Sequence, residues 1–141
     1  MALVPGPGSV GEYKTATLAT GSAMSLSTGT AKTATGETLS LQPGIWEIWA
    51  VIDFQFAVNT SYTQLQGSIS TVTDTISATA DQTTSLCAPA TVPTNALDIA
   101  LPVPTQLVTV RTATTFQLVA QATFTVSTCK AYGSLFAMRV R

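Results

Sequence analysis

The 141-residue sequence contains no histidine and few charged residues. Histidine is the usual general base near neutral pH and the commonest metal ligand, so its absence removes the residue on which most such sites depend. Charged residues make up 9% of the chain, against about a quarter in ordinary soluble domains. The six Lys and Arg residues are scattered and the net charge is −1, which argues against binding to a nucleic-acid backbone.

The remaining reactive residues form no recognisable site. No serine lies in a Gly-x-Ser-x-Gly elbow, and the two cysteines, Cys87 and Cys129, match no metal-binding spacing. These cysteines are either two small thiols or a disulfide, and the sequence leaves both open. Glu47 and Asp53 are six residues apart on one strand face, roughly 20 Å, which is too far for an acid–base pair. We therefore expect no enzymatic activity, no catalytic residue, no metal and no cofactor.

Long hydrophobic runs are also missing. The longest apolar stretch, Ile45–Phe56, is interrupted by Glu47 and Asp53 and is too short to span a bilayer. The N-terminus lacks the charged region and the long apolar region of a signal peptide. We expect synthesis in a cytoplasm and no membrane partner.

What the chain does contain is apolar and hydroxyl-bearing side chains. Hydrophobic residues make up 45% of a chain that has the usual length of one domain. Residues 1–11 hold Pro5, Pro7 and three glycines, so they are predicted to form an extended arm. The arm is either a loose end or a segment that lies on a neighbouring subunit. Residues 12–141 are predicted to form a single domain.

Alternation of apolar and polar residues is strongest in three segments, Ile45–Phe56, Thr115–Val126 and Tyr132–Val140. A period of two indicates strands with one face in a core. The predicted core face is every second residue of these segments, beginning at Trp46, Phe116 and Tyr132. The last strand runs to the end of the chain.

Weaker strand patterns occupy most of the remaining sequence. Asp74–Ala100 is the least regular part and is predicted to be a long loop with one or two short strands, after which Pro102 and Pro104 interrupt the chain. No segment has the pattern of an amphipathic helix. About eight strands without helices predict an all-β, antiparallel β-sandwich, most commonly a jelly roll. The weaker strands are predicted at Thr15–Thr20, Ala23–Thr28, Leu39–Leu41, Gln64–Val72 and Gln106–Thr112.

Two groups of residues are candidates for contact with other proteins. Trp49 and Val51 lie opposite the predicted core face and are covered either by a loop or by another subunit. Arg139 and Arg141 either pair with acidic residues of a partner or are exposed charges that protect the strand from aggregation. With two apolar residues of the arm, the candidate interface residues are Leu3, Val4, Trp49, Val51, Arg139 and Arg141.

Three segments resemble a known family. Leu41–Phe54 is similar to the first long core strand of small jelly-roll domains in tailed-bacteriophage particles, Phe116–Thr128 to their penultimate strand, and Ala131–Arg141 to their closing strand. The resemblance covers most of the chain from about Ser25 onward and is strongest to the capsid cement, or decoration, proteins of short-tailed phages.

This resemblance implies a structural virion protein that binds the outer surface of the assembled major capsid shell and stabilises it. It implies two partners, the major capsid protein and the chain itself as a homo-oligomer, dimer or trimer, and a location on the capsid surface after synthesis in the host cytoplasm. The alternative is the tip of a tail fibre that binds a host-surface receptor. A fibre needs a stalk before its tip, and the short arm therefore favours the cement protein.

A third class, a carbohydrate-binding module, needs several aromatic residues on a concave face. Outside the core pattern the sequence offers Trp49 and Tyr62 for that role.

Overall fold

The computed structural model describes residues 6–78, 82–86, 90–91 and 97–141, and these residues form two antiparallel sheets. A single turn of 3-10 helix lies at Thr20–Ser22. None of the helical structure in the described ranges is long and apolar enough to cross a membrane. The strands are β1 (Tyr13–Leu18), β2 (Met24–Ser25), β3 (Lys32–Leu41), β4 (Gly44–Phe56), β5 (Ser61–Ser70), β6 (Thr83–Leu86), β7 (Ala90–Thr91), β8 (Leu97–Val110), β9 (Thr114–Thr125) and β10 (Cys129–Arg139).

The strand order is that of a jelly roll. The first sheet has the order β1-β10-β4-β8, with β2 beside β10, and the second has the order β3-β9-β5-β6, with β7 beside β5. The pairs β1 with β10, β3 with β9, β4 with β8 and β5 with β6 are nested, as in a long antiparallel hairpin that has been rolled up. The predicted sandwich is confirmed. β2 lies within the predicted strand Ala23–Thr28. The strands beyond the predicted eight are the short β6 and β7, which lie within Asp74–Ala100, where a loop with one or two short strands was predicted.

The core lies between the two sheets, and the predicted inner face of β4 is confirmed. Its even-numbered residues from Trp46 to Phe56 are at most 1% exposed. They meet the inner face of β9, where the predicted residues from Phe116 to Phe124 are buried. The prediction extended that face to Val126, which is wrong: β9 ends at Thr125, and Val126 is 83% exposed with a φ of 81°. The buried residues of β4 are Trp46, Ile48, Ala50, Ile52, Phe54 and Phe56.

The predicted core face of the last strand is wrong. The buried residues of β10 are the small or aliphatic ones of the opposite phase, including Gly133 and Leu135, whereas Tyr132 and Phe136 are half-buried on the outer face. Both faces of this strand are apolar, so alternation could not choose between them. Size decides, because β10 lies so close to β4 at Gly133 that a Cβ there would be 2.2 Å from the Val51 carbonyl oxygen.

Pro102 and Pro104 were predicted to interrupt the strand pattern, and this prediction is wrong. β8 runs through both, because it is an edge strand of the first sheet and needs no ladder hydrogen bond on its open side. The register shifts here: Ile48 pairs with Gln106 and Ala50 with Val103, so two residues of β8 lie opposite Trp49. This is a β-bulge, a feature that is common beside functional sites.

The described part of the arm, residues 6–11, is bonded to the sandwich. The Gly11 amide donates to the Arg139 carbonyl (2.7 Å), and the Gly8 amide donates to Oε2 of Glu12 (2.6 Å). The Glu12 carboxylate lies 3.8 Å from the Arg139 guanidinium. Leu3 lies outside the described residues, and so does Val4.

Cys129 begins β10 and is 1% exposed, and burial raises the pKa of its thiol to about 12. Cys87 lies outside the described residues, so a Cys87→Ser background isolates the buried thiol. We expect iodoacetamide at pH 8 to modify native Cys129 at least about a hundredfold more slowly than the same chain in denaturant, because the thiolate is the nucleophile.

The same pKa sets the sign of the pH dependence. The stability contributed by the neutral, buried thiol is complete below the ordinary thiol pKa of 9.0 and is lost as pH rises toward about 12. Denaturation midpoints of Cys87→Ser and of Cys87→Ser with Cys129→Ala, measured across this range, isolate the effect. Native labelling at the rate of an exposed thiol would contradict the buried position.

Candidate interaction face

The outer face of the first sheet carries a cluster of three aromatic side chains. Trp49 of β4 stacks on Phe136 of β10, with ring centroids 5.5 Å apart and planes at 17°, and lies 6.4 Å from the ring of Tyr13 on β1. Tyr13 is 55% exposed, and Trp49 and Phe136 are half-buried. Three neighbouring strands therefore contribute one aromatic ring each to a patch that faces solvent.

Apolar residues extend this patch along the face. Met138 lies in register between Tyr13 and Glu47, and Leu107 completes that row at 67% exposure. On the other side of the Trp49–Phe136 pair, Val51 lies between Ser134 and Pro102. We call the outer face of the first sheet the aromatic face. The sequence prediction that Trp49 and Val51 share a face opposite the core agrees with their placement here.

The structure does not bring Arg139 and Arg141 to the aromatic face. The Arg139 guanidinium is engaged within the chain: its Nη2 donates to the Pro43 carbonyl (2.6 Å), and the group lies 5.6 Å from the centre of the Trp46 ring. Its side chain is 14% exposed. Arg141 is exposed, and its backbone is bonded to that of Ile45.

A depression of about 330 Å³ opens in the aromatic face where β1 ends. After Leu18 the chain leaves β10 and turns through Thr20–Ser22, which exposes part of β10 and β4. The Thr17 and Ser134 hydroxyls, 3.0 Å apart, lie on one side of this depression. Its lining includes Thr17, Thr20, Val51, Asp53, Tyr132 and Phe136.

Two carboxylates make this end of the face acidic. The Tyr132 hydroxyl donates to Oδ2 of Asp98 (3.2 Å), and Asp53 lies in register beside Tyr132. Burial raises the pKa of Asp53, and the negative charge of Asp98 raises it further. In the described ranges both ion pairs within 4.0 Å involve Glu12, so neither Asp53 nor Asp98 has a basic partner there.

Sequence reasoning missed most of this site. Phe136 and Tyr132 were predicted to lie in the core, and nothing in the local pattern joined Asp98 to them. The sequence feature that could have revealed the site was the apolar character of both faces of β10. Tyr62, a candidate for sugar binding, is 7% exposed and stacks on Phe56 with centroids 4.8 Å apart, so that expectation is wrong.

Within the described residues, no group of three or more His, Cys, Asp or Glu side chains comes together as a possible metal site.

No protein-family model matches the chain, and no curated protein matches its sequence. The fold is found in a chain of the structure of infectious bursal disease virus, Gx strain, with a TM-score of 0.53 and 15% sequence identity. The match covers 91% of this chain and 33% of the viral chain, so this chain spans one third of its length. At this identity the comparison shows a shared fold.

Proposed function

We propose that this protein is a non-catalytic structural component of a virion, which binds the outer surface of the assembled major capsid shell and stabilises it. The observation that carries the proposal is the aromatic face. A jelly roll buries its core between the sheets, and here a second apolar surface, centred on Trp49 and Phe136, remains outside them. Large aromatic side chains in such positions are common anchors of protein interfaces.

Three further observations support this role. The fold is shared with a chain of a virus structure. Three segments of the sequence resemble phage cement proteins. A chain with 9% charged residues has little repulsion to prevent close approach to another protein.

Binding that requires neighbouring capsid subunits stabilises the assembled state, because a ligand of one state shifts the equilibrium toward it. Self-association as a dimer or trimer would present several aromatic faces at once.

The test is co-sedimentation of the purified chain with capsid shells of its virus from which this chain has been removed. We expect binding to assembled shells and none to free capsid subunits. Trp49→Ala should weaken binding at least about thirtyfold, the effect of losing an interface anchor of about 2 kcal/mol.

Val72→Ala is the matched control, because it removes an exposed apolar side chain outside the aromatic face. It should bind shells as the unchanged chain does. Equal binding by Trp49→Ala would contradict the role of the aromatic face, and binding to host cells instead of shells would contradict the function.

The depression beside Phe136 favours one alternative, the tip of a tail fibre. Hydroxyl groups of Thr17 and Ser134 beside an aromatic ring are groups that a carbohydrate receptor could use. Cell binding that is competed by free sugar would support this alternative.

A further inference from the structure

The depression in the aromatic face is bordered by side chains from several separate elements. Phe136 and Tyr132 of β10 supply aromatic surface, Asp53 of β4 lies in the lining, and Asp98 of β8 lies within hydrogen-bond distance of the Tyr132 hydroxyl. The end of β1 and the turn after it form the remaining wall. The opening of about 330 Å³ is large enough for one long side chain but small for a folded segment.

The charges around this opening are unbalanced. The strands of the aromatic face present three acidic residues, Glu47, Asp53 and Asp98, and one basic residue, Lys130. Lys130 of β10 and Asp98 of β8 both lie in register with Gln55, so strand β4 lies between them. The face therefore has a net charge of −2, in a chain whose total is −1. A partner that buries this face must supply positive charge, because buried carboxylates without partners are costly.

Aromatic rings and carboxylates together select a particular cation. A guanidinium stacks on an aromatic face while its edge donates to carboxylate oxygens, and it loses less hydration than an ammonium group. The chain uses the same chemistry internally, where Arg139 lies over Trp46 and pairs with Glu12.

We propose that this depression receives an arginine side chain from the protein surface on which the aromatic face docks. The inference rests on the proposed function for the identity of that surface, and adds the chemistry by which the surface is recognised. The guanidinium lies against Phe136 and Tyr132 and is paired with Asp53 and Asp98. Trp49 and its apolar neighbours then form the part of the same interface from which water is excluded.

The first experiment is an NMR titration of the ¹⁵N-labelled full chain with N-acetylarginine amide. We expect saturable shifts at the amides of Asp53, Tyr132 and Ser134. The neutral isostere N-acetylcitrulline amide should cause no comparable shifts. Asp53→Asn combined with Asp98→Asn should raise the apparent Kd about fivefold, the effect of two exposed charge pairs.

Glu37→Gln is the control for loss of negative charge, because it removes one carboxylate from β3 in the other sheet. It should leave the titration unchanged. Because asparagine at either position keeps the side-chain shape, unchanged spectra outside the depression establish that the variants fold. The proposal is overturned if arginine amide causes no shifts, if the double variant binds it equally well, or if N-acetylglucosamine shifts these amides and arginine amide does not.

A second experiment separates this inference from the proposed function. The Asp53→Asn, Asp98→Asn variant is tested for shell binding beside the unchanged chain. Weaker binding by the variant supports the inference. Undiminished binding overturns the inference and leaves the proposed function intact. If the unchanged chain binds arginine amide in the titration but binds no shells, the proposed function fails while the arginine site stands.

Discussion

Replacement of Gly133 with alanine is expected to lower the free energy of unfolding by at least about 4 kcal/mol, which is among the largest single-residue effects. A Cβ at this position would be 2.2 Å from the Val51 carbonyl oxygen and 3.0 Å from the Ile52 Cα. Both are backbone atoms of the central strand β4, so they cannot move aside without breaking its pairing. The φ of 157° is also one that other residues rarely adopt.

The measurement is denaturant unfolding of Gly133→Ala, together with its soluble yield. Stability totals about 5–15 kcal/mol for most domains, so the variant should be largely unfolded or poorly soluble. Gly21→Ala is the control, because a Cβ there meets no atom within 4 Å. Gly67→Ala should be intermediate, since its closest neighbour is the movable Ile52 Cδ1 at 2.6 Å. A loss below about 1 kcal/mol for Gly133→Ala would contradict the close approach of β10 to β4.

Trp46→Ala is expected to cost about 3–5 kcal/mol, the usual range for removing a large aromatic side chain from a core. Trp46 is fully buried, and its Nε1 donates to the Gln42 carbonyl (2.9 Å). Lys14 and Arg139 both lie over its ring, at 5.8 and 5.6 Å from the ring centre. The variant therefore loses core packing and the cation–π contacts of Lys14 and Arg139, the two basic residues that pair with Glu12.

Trp49→Ala is the matched comparison, because it removes the same residue type from the same strand but from the outer face. It should cost less than half as much stability, since Trp49 is half-buried, while producing the loss of shell binding described above. Trp46→Phe should cost about 1–2 kcal/mol, for the lost hydrogen bond of the indole N–H. Urea unfolding of the three variants measures all of these differences. Equal destabilisation by Trp46→Ala and Trp49→Ala would contradict the assignment of the two faces.

The sequence predicted the sandwich because each of its two clearest strands has one wholly apolar face and one face that includes polar residues. In β4 and β9 the odd-numbered positions include Glu47, Asp53 and Gln121, so the alternation identified the inner face correctly. β10 has no such asymmetry, and there the prediction was wrong. The same weakness applied at β8, where proline was taken as an interruption although an open edge tolerates it.

Sequence alone determined the all-β class, the inner faces of β4 and β9, and the position of Trp49 opposite the core. Tertiary structure alone decided that the small residues of β10 face inward, and that Phe136 and Tyr132 therefore face out. It also brought Asp53 and Asp98 to Tyr132 across three strands. The physical reason is that alternation is a property of each strand, whereas the pairing of strands distant in sequence depends on the packing of the whole sandwich. The aromatic face and its acidic depression are products of that pairing.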